Sequence, residues 1–215
     1  MIGLRLYDYG PSPNCLKVRI LLRLLGLQFD CVSIDILGGD TLTDSYAQVN
    51  PARRTPVLEV KEDRIVESNA IIWFLAESTS FLPSGPLERA QVLRWLLFEL
   101  DRGEDIAALR FRIGVGTLDP DSEDARKRRE AGRRGLDQLE LALRSSQFLV
   151  GDGCTVADLA NYAYVHVAPE AGLPLRPYPA ILRWLAEIER QPGFVNDLEP
   201  LPENARIGAG LSIYG

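Results

Sequence analysis

The sequence of 215 residues contains a single histidine, His166, and this scarcity already restricts its chemistry. Zinc sites are built from several histidine, cysteine or carboxylate ligands, so a multi-histidine metal cage is excluded. A Ser-His-Asp hydrolase is excluded as well, unless His166 alone serves as the general base. We therefore expect no bound metal, and we interpret His166, which lies on an apolar helix, as a core residue.

Cysteine is almost as scarce, with Cys15, Cys31 and Cys154 in the whole chain. Three cysteines cannot close a disulfide framework, which favours a reducing, cytoplasmic location. We expect all three to be structural, with Cys15 pointing inward and Cys154 the most exposed.

No apolar run approaches the roughly 20 residues that a membrane-spanning helix needs, and the first residues do not resemble a signal peptide. No membrane partner is expected.

Positive charge is outweighed, since 24 lysines and arginines face 30 acidic residues and the formal net charge is −6. This balance argues against a nucleic acid as the main partner. The arginine-rich segment 126–134 alternates with Glu123, Asp124, Glu130 and Asp137. On a helix this spacing gives ion pairs between residues four apart, so it predicts a solvated helix face.

The first 80 residues alternate short strand-like runs with helical ones, which predicts the order β-α-β-α-β-β-α. The predicted elements are strand 2–9, a helix from residue 13 to Gly26, strand 28–36, helix 41–50, hairpin strands 56–60 and 64–67, and helix 68–79 with Ser68 as its N-cap. This order is the thioredoxin-like layout, with a right-handed crossover between the parallel strands. Beyond a turn-rich linker at 81–86, only helical periodicity is found. We predict an α+β chain with a thioredoxin-like domain (1–80), a linker (81–86) and an all-helical domain (87–215).

Ser12, Pro13, Asn14 and Cys15 lie at the predicted turn from the first strand into the first helix. A helix N-terminus stabilises an anion, and in this layout a redox Cys-x-x-Cys pair would stand here. Because Ser12 replaces the first cysteine, the chain itself cannot form that disulfide. A hydroxyl would instead stabilise a thiolate supplied by a ligand. That Ser12 and Asn14 merely cap the helix is equally open at this point.

A second candidate site is the segment 51–58, Pro-Ala-Arg-Arg-Thr-Pro-Val-Leu. Pro56 stands directly before a strand, where this layout uses a cis proline, and a cis peptide would expose the backbone of Thr55 to a peptide-like ligand. Either Arg53 or Arg54 could hold a carboxylate at the rim. Two solvated arginines on a loop are the alternative.

The third candidate is Glu67 and Ser68 at the start of the next helix. The helix N-terminus can bind a carboxylate, and Glu67 can hold an ammonium group. Together the three sites offer a thiol pocket, a backbone clamp, a carboxylate site and an ammonium partner. A small thiol tripeptide with a carboxylate at each end matches all four.

The sequence resembles the cytosolic glutathione transferases along essentially its whole length. The resemblance rests on N-P-x-x-x-x-P-V-L (50–58), E-S-N-A-I (67–71) and G-D-x-x-T-V-A-D (151–158). It implies glutathione as co-substrate, a small electrophile or a disulfide as second substrate, and a two-fold homodimer. It also implies a bacterial-type detoxification enzyme.

By this resemblance Ser12 matches the activating serine of the theta and zeta classes. The Ser-Pro-Asn triplet is similar to the Thr-Pro-Asn of nu-type disulfide reductases, which makes Asn14 a second catalytic candidate. Thr55 beside Pro56 would clamp the cysteinyl backbone and Arg54 would reach the glycyl carboxylate. Glu67 and Ser68 would hold the γ-glutamyl end.

Several functions remain open: conjugation, nu-type disulfide reduction, isomerisation of a maleyl-type substrate, which Asn14 weakens, and a non-catalytic binding module. Thr155 and Asp158 match the family's buried capping box, which we assign to folding.

The residues that position suggests for the electrophile pocket are Tyr9, Trp95, Phe98, Glu99, Arg102, Arg110 and Phe111. Among these, Arg110 is the candidate for receiving an anionic substrate.

Overall fold

The computed structural model describes residues 3–202, and its first part has the predicted order of strands and helices. Strand β1 pairs in parallel with β2 and antiparallel with β3, which pairs antiparallel with β4, so the sheet order is β2-β1-β3-β4. The elements are β1 (Leu4–Asp8), α1 (Pro13–Leu24), β2 (Asp30–Ser33), α2 (Asp44–Val49), β3 (Val57–Val60), β4 (Asp63–Val66) and α3 (Ser68–Ala76).

The remainder of the described chain is helical. It contains α4 (Pro86–Phe98), a π-helical turn (Glu99–Gly103), α5 (Glu104–Gly114), α6 (Glu123–Leu143), α7 (Val156–Val165) and α8 (Pro179–Glu189). Every residue of α7 is buried, because α7 packs against α1 and α3 of the first domain and against α4 and α8 of its own. The fold class is thus confirmed: a thioredoxin-like domain precedes an all-helical one. None of the helices within residues 3–202 is long and apolar enough to cross a membrane.

Several local predictions need correction. The second strand covers only Asp30–Ser33 of the predicted 28–36, and the helix predicted at 41–50 is split into a short 3-10 turn and α2. Ser68 is not the N-cap of α3 but its first helical residue, since Glu67 precedes it with φ of +66°. Cys154 is buried, whereas Cys31 is the exposed cysteine. The domain boundaries stay a prediction.

The arginine-rich segment lies on the surface of α6, as its spacing predicted. Lys127 pairs with Glu123, and both Arg133 and Arg134 pair with Glu130. All these groups are exposed, so each pair contributes little to stability.

The stretch from 194 to 202, here called the C-terminal segment, returns to the first domain. The carboxylate of Asp197 accepts hydrogen bonds from Arg19 Nε at 2.9 Å and from Arg23 Nη2 at 2.6 Å, both on α1. The backbone N–H of Glu199 donates to the carbonyl of Gly10. Asp197 is the charged anchor of this segment.

We predict that acid or Asp197→Asn releases the C-terminal segment. Burial alone would raise the pKa of Asp197, but the hydrogen bonds and charges of Arg23 and Arg19 lower it below its usual value. A depressed carboxyl pKa stabilises the fold above the unfolded value of about 3.9, and this contribution is lost as the pH falls below it. For this partly exposed anchor we expect about 1 kcal/mol, or about fivefold faster amide exchange in 194–202 at neutral pH. Glu199→Gln, whose anchoring bond is made by the backbone, is the control. Unchanged exchange in Asp197→Asn would contradict the assignment.

Candidate active site

A cleft of about 510 Å³ lies between the two domains, and the three predicted sites meet in it. The first-domain wall is lined by Ser12, Pro13, Asn14, Asn50, Arg54, Thr55, Pro56, Glu67 and Ser68. Ser12, Asn14, Arg54, Thr55, Pro56, Glu67 and Ser68, the residues assigned to the glutathione site by the resemblance, are all in this list, whereas Arg53 and Cys15 are not. Their convergence follows from the topology. The end of β1, the start of β3 and the end of β4 lie at the same end of the antiparallel strands, so the β1–α1 turn, the loop before β3 and the start of α3 are neighbours.

Ser12 is the N-cap of α1, and Pro13 occupies the first helical turn, where its missing N–H costs nothing. The Ser12 hydroxyl oxygen accepts a long hydrogen bond, 3.4 Å, from the backbone N–H of Cys15. A hydroxyl has one proton to donate besides the lone pairs with which it accepts. The Ser12 hydroxyl therefore caps the helix and still carries a proton that it can donate into the cleft.

Cys15 and Tyr9 are the other acidic groups at this turn, and neither ionises near neutral pH. Burial, and then the charge of Asp8, raise the pKa of the Cys15 thiol to about 12. Burial, and then the charge of Asp35, raise the pKa of Tyr9 to about 12. Neither group thus supplies a thiolate or phenolate at neutral pH, which favours a nucleophile that comes with the ligand.

The N-termini of α1 and α3 are joined by a hydrogen bond of 3.0 Å from the Ser68 hydroxyl to the Asn14 side-chain oxygen. Neither helix has an acidic residue in its first turn, and no side chain caps α3. The first N–H groups of α3 and the positive ends of both helix dipoles are therefore available to an anion in the cleft. Glu67, exposed beside them, supplies a negative charge at this end.

The Thr55–Pro56 peptide is cis, as predicted, and it lies directly before β3. The loop is fixed by its own side chains, since Tyr46 and Asn50 both donate to the carbonyl of Arg54. The structure also separates the two arginines. Arg54 is exposed at the cleft, whereas Arg53 donates to the carbonyls of Thr41 and Thr43 and is turned away from it.

The second wall of the cleft is formed mainly by the helical domain, together with Tyr9, Pro11 and Ile36 of the first domain. It contains only part of the predicted electrophile pocket. Tyr9, Glu99, Arg110 and Phe111 line the cleft. Trp95, Phe98 and Arg102 do not: Trp95 is buried in the core with Phe98 packed edge-on against it, and Arg102 pairs with Asp101. Sequence reasoning missed the lining residues Pro11, Ile36, Leu100, Ala107, Ala108, Arg112, Tyr164 and Leu201. Small alanines, a leucine of the C-terminal segment and a π-helical turn leave no local pattern by which to find them.

A buried charged cluster lies behind this wall, at the junction of the two domains. Lys17, on α1, is fully buried and its Nζ lies 2.8 Å from Asn69 Oδ1 and 3.3 Å from Glu99 Oε2. Asn69 in turn donates to the same Glu99 oxygen at 2.8 Å. Burial lowers the pKa of Lys17, and the charge and hydrogen bond of Glu99 oppose this. Glu99 is thus the counter-ion of Lys17, which assigns it to the domain junction and not to a substrate contact.

Two family models match the chain over both domains. The model "Glutathione S-transferase, N-terminal domain" matches residues 11–78, and "Glutathione S-transferase, C-terminal domain" matches residues 105–192. The chain belongs to the glutathione S-transferase family. The expected family and activity are thereby confirmed, and the chain is a glutathione transferase.

Individual relatives of this transferase agree along nearly the whole length. A maleylacetoacetate isomerase from Dictyostelium discoideum is 31% identical over 211 residues, which cover 93% of each chain. A crystal structure of a glutathione S-transferase from Pseudomonas fluorescens has a TM-score of 0.87 at 39% identity and covers 91% of this chain and 99% of that one. A transferase from Phanerochaete chrysosporium in complex with oxidized glutathione has a TM-score of 0.79 at 25% identity, covering 89% and 93%.

Proposed function

We propose that this transferase ionises the thiol of bound glutathione at the N-terminus of α1, with the Ser12 hydroxyl donating a hydrogen bond to the thiolate. The observation that carries the proposal is the Ser12 side chain itself, which caps α1 and lines the cleft beside a cysteine that stays protonated. A hydrogen bond to the charged form and a helix dipole both lower a thiol pKa.

The remaining contacts orient the tripeptide. We assign the cysteinyl backbone to the Thr55 backbone before Pro56, and the glycyl carboxylate to the exposed Arg54. The γ-glutamyl carboxylate is assigned to the first N–H groups of α3 beside Ser68, and its ammonium group to Glu67. This placement satisfies each charge of glutathione with a group of opposite sign or with a helix N-terminus.

With glutathione held in this way, conjugation needs no further ionisable group. The thiol proton leaves to solvent, the sulfur lone pair forms the new C–S bond, and a leaving group such as chloride departs with the electrons of the bond that breaks. The electrophile would enter the half of the cleft formed by Tyr9, Ile36, Phe111 and Leu201, where it contacts mainly apolar surface. Asn14, through its hydrogen bond with Ser68, connects the thiol end to the γ-glutamyl end.

Isomerisation of a maleyl-type substrate is the second candidate, because a maleylacetoacetate isomerase is among the relatives that cover most of the chain. In that reaction the thiolate adds to the double bond, the adduct rotates, and glutathione is eliminated unchanged. Arg112, whose Nη1 pairs with Asp124, reaches the cleft wall and gives it positive charge for such an anion.

Calorimetry with reduced glutathione, followed by three turnover assays, tests the proposal. We expect binding in the micromolar to low millimolar range and conjugation of chlorodinitrobenzene. A maleyl-type diacid that is isomerised without consuming glutathione would select the second candidate. Oxidation of glutathione by a small disulfide, with no conjugation, would select nu-type reduction. Absence of binding at 10 mM would reject all three in favour of a non-catalytic module.

We also propose that the transferase is a homodimer, formed through the outer faces of α3 and α4 and the π-helical turn. Leu93, Leu97 and Leu100 recur at intervals of four and three residues, so they form one stripe that is about half exposed. Phe74 and Leu87 extend the exposed apolar surface. An apolar stripe of this length that stays exposed among residues 3–202 suits an isologous contact with the same stripe of a second copy.

Leu97→Glu is expected to convert the dimer into monomers, because two carboxylates would then be buried near the two-fold axis without partners. The molar mass from light scattering after size exclusion should fall to half. Leu141→Glu is the matched control, since Leu141 is equally exposed but lies on α6, outside the stripe. A Leu97→Glu protein that keeps the wild-type mass, or a monomeric wild type, would contradict the proposal.

A further inference from the structure

The turn that presents Ser12 is held by two buried arginines, one from each domain. Within the turn, the backbone N–H of Ser12 donates to the carbonyl of Tyr9 at 2.9 Å. The carbonyl of Gly10 accepts from Arg19 Nη2 at 3.2 Å, and the carbonyl of Pro11 accepts from Arg110 Nη1 at 2.9 Å. Two consecutive carbonyl groups next to Ser12 thus each accept a charged hydrogen bond.

Arg110 reaches this turn from α5 of the helical domain, and only 5% of it is exposed. Its Nε lies 2.6 Å from the carboxylate of Glu170, whose side chain is 54% exposed. His166, a neighbour of Arg110, is disfavoured as a second cation, since burial lowers its pKa, with Arg110 contributing to the decrease, while Arg19 on the other side of the turn pairs with Asp8. The Arg110 cation is therefore buried beside the turn while its counter-ion faces water.

This arrangement fixes the Pro11–Ser12 peptide at both ends. Its N–H is held by Tyr9 and its C=O by Arg110, so the peptide cannot rotate without breaking one of the two hydrogen bonds. The direction of the Ser12 side chain depends on that peptide plane. A buried positive charge near the site also favours an anion more strongly than it would in water.

We infer that Arg110 is a positioning residue for Ser12, rather than a receptor for an anionic substrate, and that it lowers the pKa of the bound thiol from the second domain. The inference rests on the proposed function, because it assigns Arg110 a part in thiol ionisation at Ser12. It makes the helical domain a contributor to glutathione activation in addition to the electrophile site.

The test is a spectroscopic titration of the glutathione thiolate bound to the wild type and to Arg110→Met. We expect the pKa of the bound thiol to rise by about one unit, because both the hydrogen bond to Pro11 and the charge are lost. At a pH below that pKa, kcat should fall about tenfold, while KM for glutathione stays within about twofold. If Arg110 served folding only, the folded Arg110→Met protein would show the wild-type pKa for the bound thiol. Its kcat and its KM for glutathione would also equal those of the wild type.

Two further variants keep the result unambiguous. Arg110→Lys retains the charge but not the planar guanidinium that donates to both Glu170 and Pro11. We therefore expect the pKa of the bound thiol to rise by less than in Arg110→Met. Arg134→Met, which removes an exposed arginine of α6, should titrate as the wild type. A folded Arg110→Met or Arg110→Lys protein whose bound thiol titrates as the wild type overturns the inference. A wild type that binds no glutathione overturns the proposed function instead.

Discussion

Replacing Ser12 by alanine is expected to lower the turnover of glutathione conjugation about ten- to thousandfold, the loss typical for one donor to a developing anion. Binding of glutathione should persist, because Thr55, Glu67 and the α3 N-terminus do not depend on the hydroxyl. The pKa of the bound thiol should rise, since the thiolate loses its hydrogen bond. Steady-state kinetics, calorimetry and thiolate absorbance measure the three effects.

The chain offers a matched control for the capping role of this serine. Ser122 is the N-cap of α6, and its side chain accepts from the N–H of Ala125 at 3.2 Å, as Ser12 accepts from Cys15. Ser122→Ala should cost about 1 kcal/mol of stability and leave turnover unchanged. If Ser12→Ala behaves in the same way, Ser12 is a helix cap and has no part in the mechanism.

The largest effect on stability is expected at Asp158. Its carboxylate accepts from the N–H groups of Leu149 and Thr155 at 2.8 Å each, and from the Thr155 hydroxyl and the Trp184 indole at 2.9 Å each. Asp158→Ala would leave these donors buried without an acceptor. We expect a loss of about 3–5 kcal/mol, with thermal unfolding lowered by roughly 10 °C.

Thr155→Ala is the reference variant against which the stability loss of Asp158→Ala is compared. It removes one hydroxyl of the capping box but leaves the backbone and indole bonds of Asp158 in place, so a loss of about 1 kcal/mol is expected. Guanidinium unfolding of the two variants gives the comparison. Equal losses in Asp158→Ala and Thr155→Ala would show that the carboxylate acts as a cap only and does not join α7 to α8.

The sequence allowed prediction wherever a local rule was sufficient. The capping box at Thr155 is confirmed, because a polar N-cap with an acidic residue three positions later specifies its own geometry. The cis peptide before Pro56 was predictable from its place in the fold. At Ser68 the rule failed, because Glu67 adopts a positive φ and the serine turns to Asn14 in another helix.

The second wall of the cleft could not be predicted for a different reason. Residues 87–103 carry a helical periodicity, which does not reveal that the chain forms a π-helical turn from Glu99 to Gly103. Leu100, in that turn, lines the cleft and is half exposed, whereas Trp95 of α4 packs in the core. Arg110 is predicted to reach the pocket from its position and to bind an anion from its charge, but its bond to Pro11, 99 residues away in sequence, depends on tertiary packing.

The buried lysine at the domain junction limits how this protein can be recombined with its relatives. Lys17 belongs to the first domain, yet one of its two partners, Glu99, belongs to the second. A chimaera that joined this first domain to a helical domain with an uncharged residue at position 99 would bury an ammonium group without its counter-ion. Lys17 and Glu99 therefore have to be exchanged together.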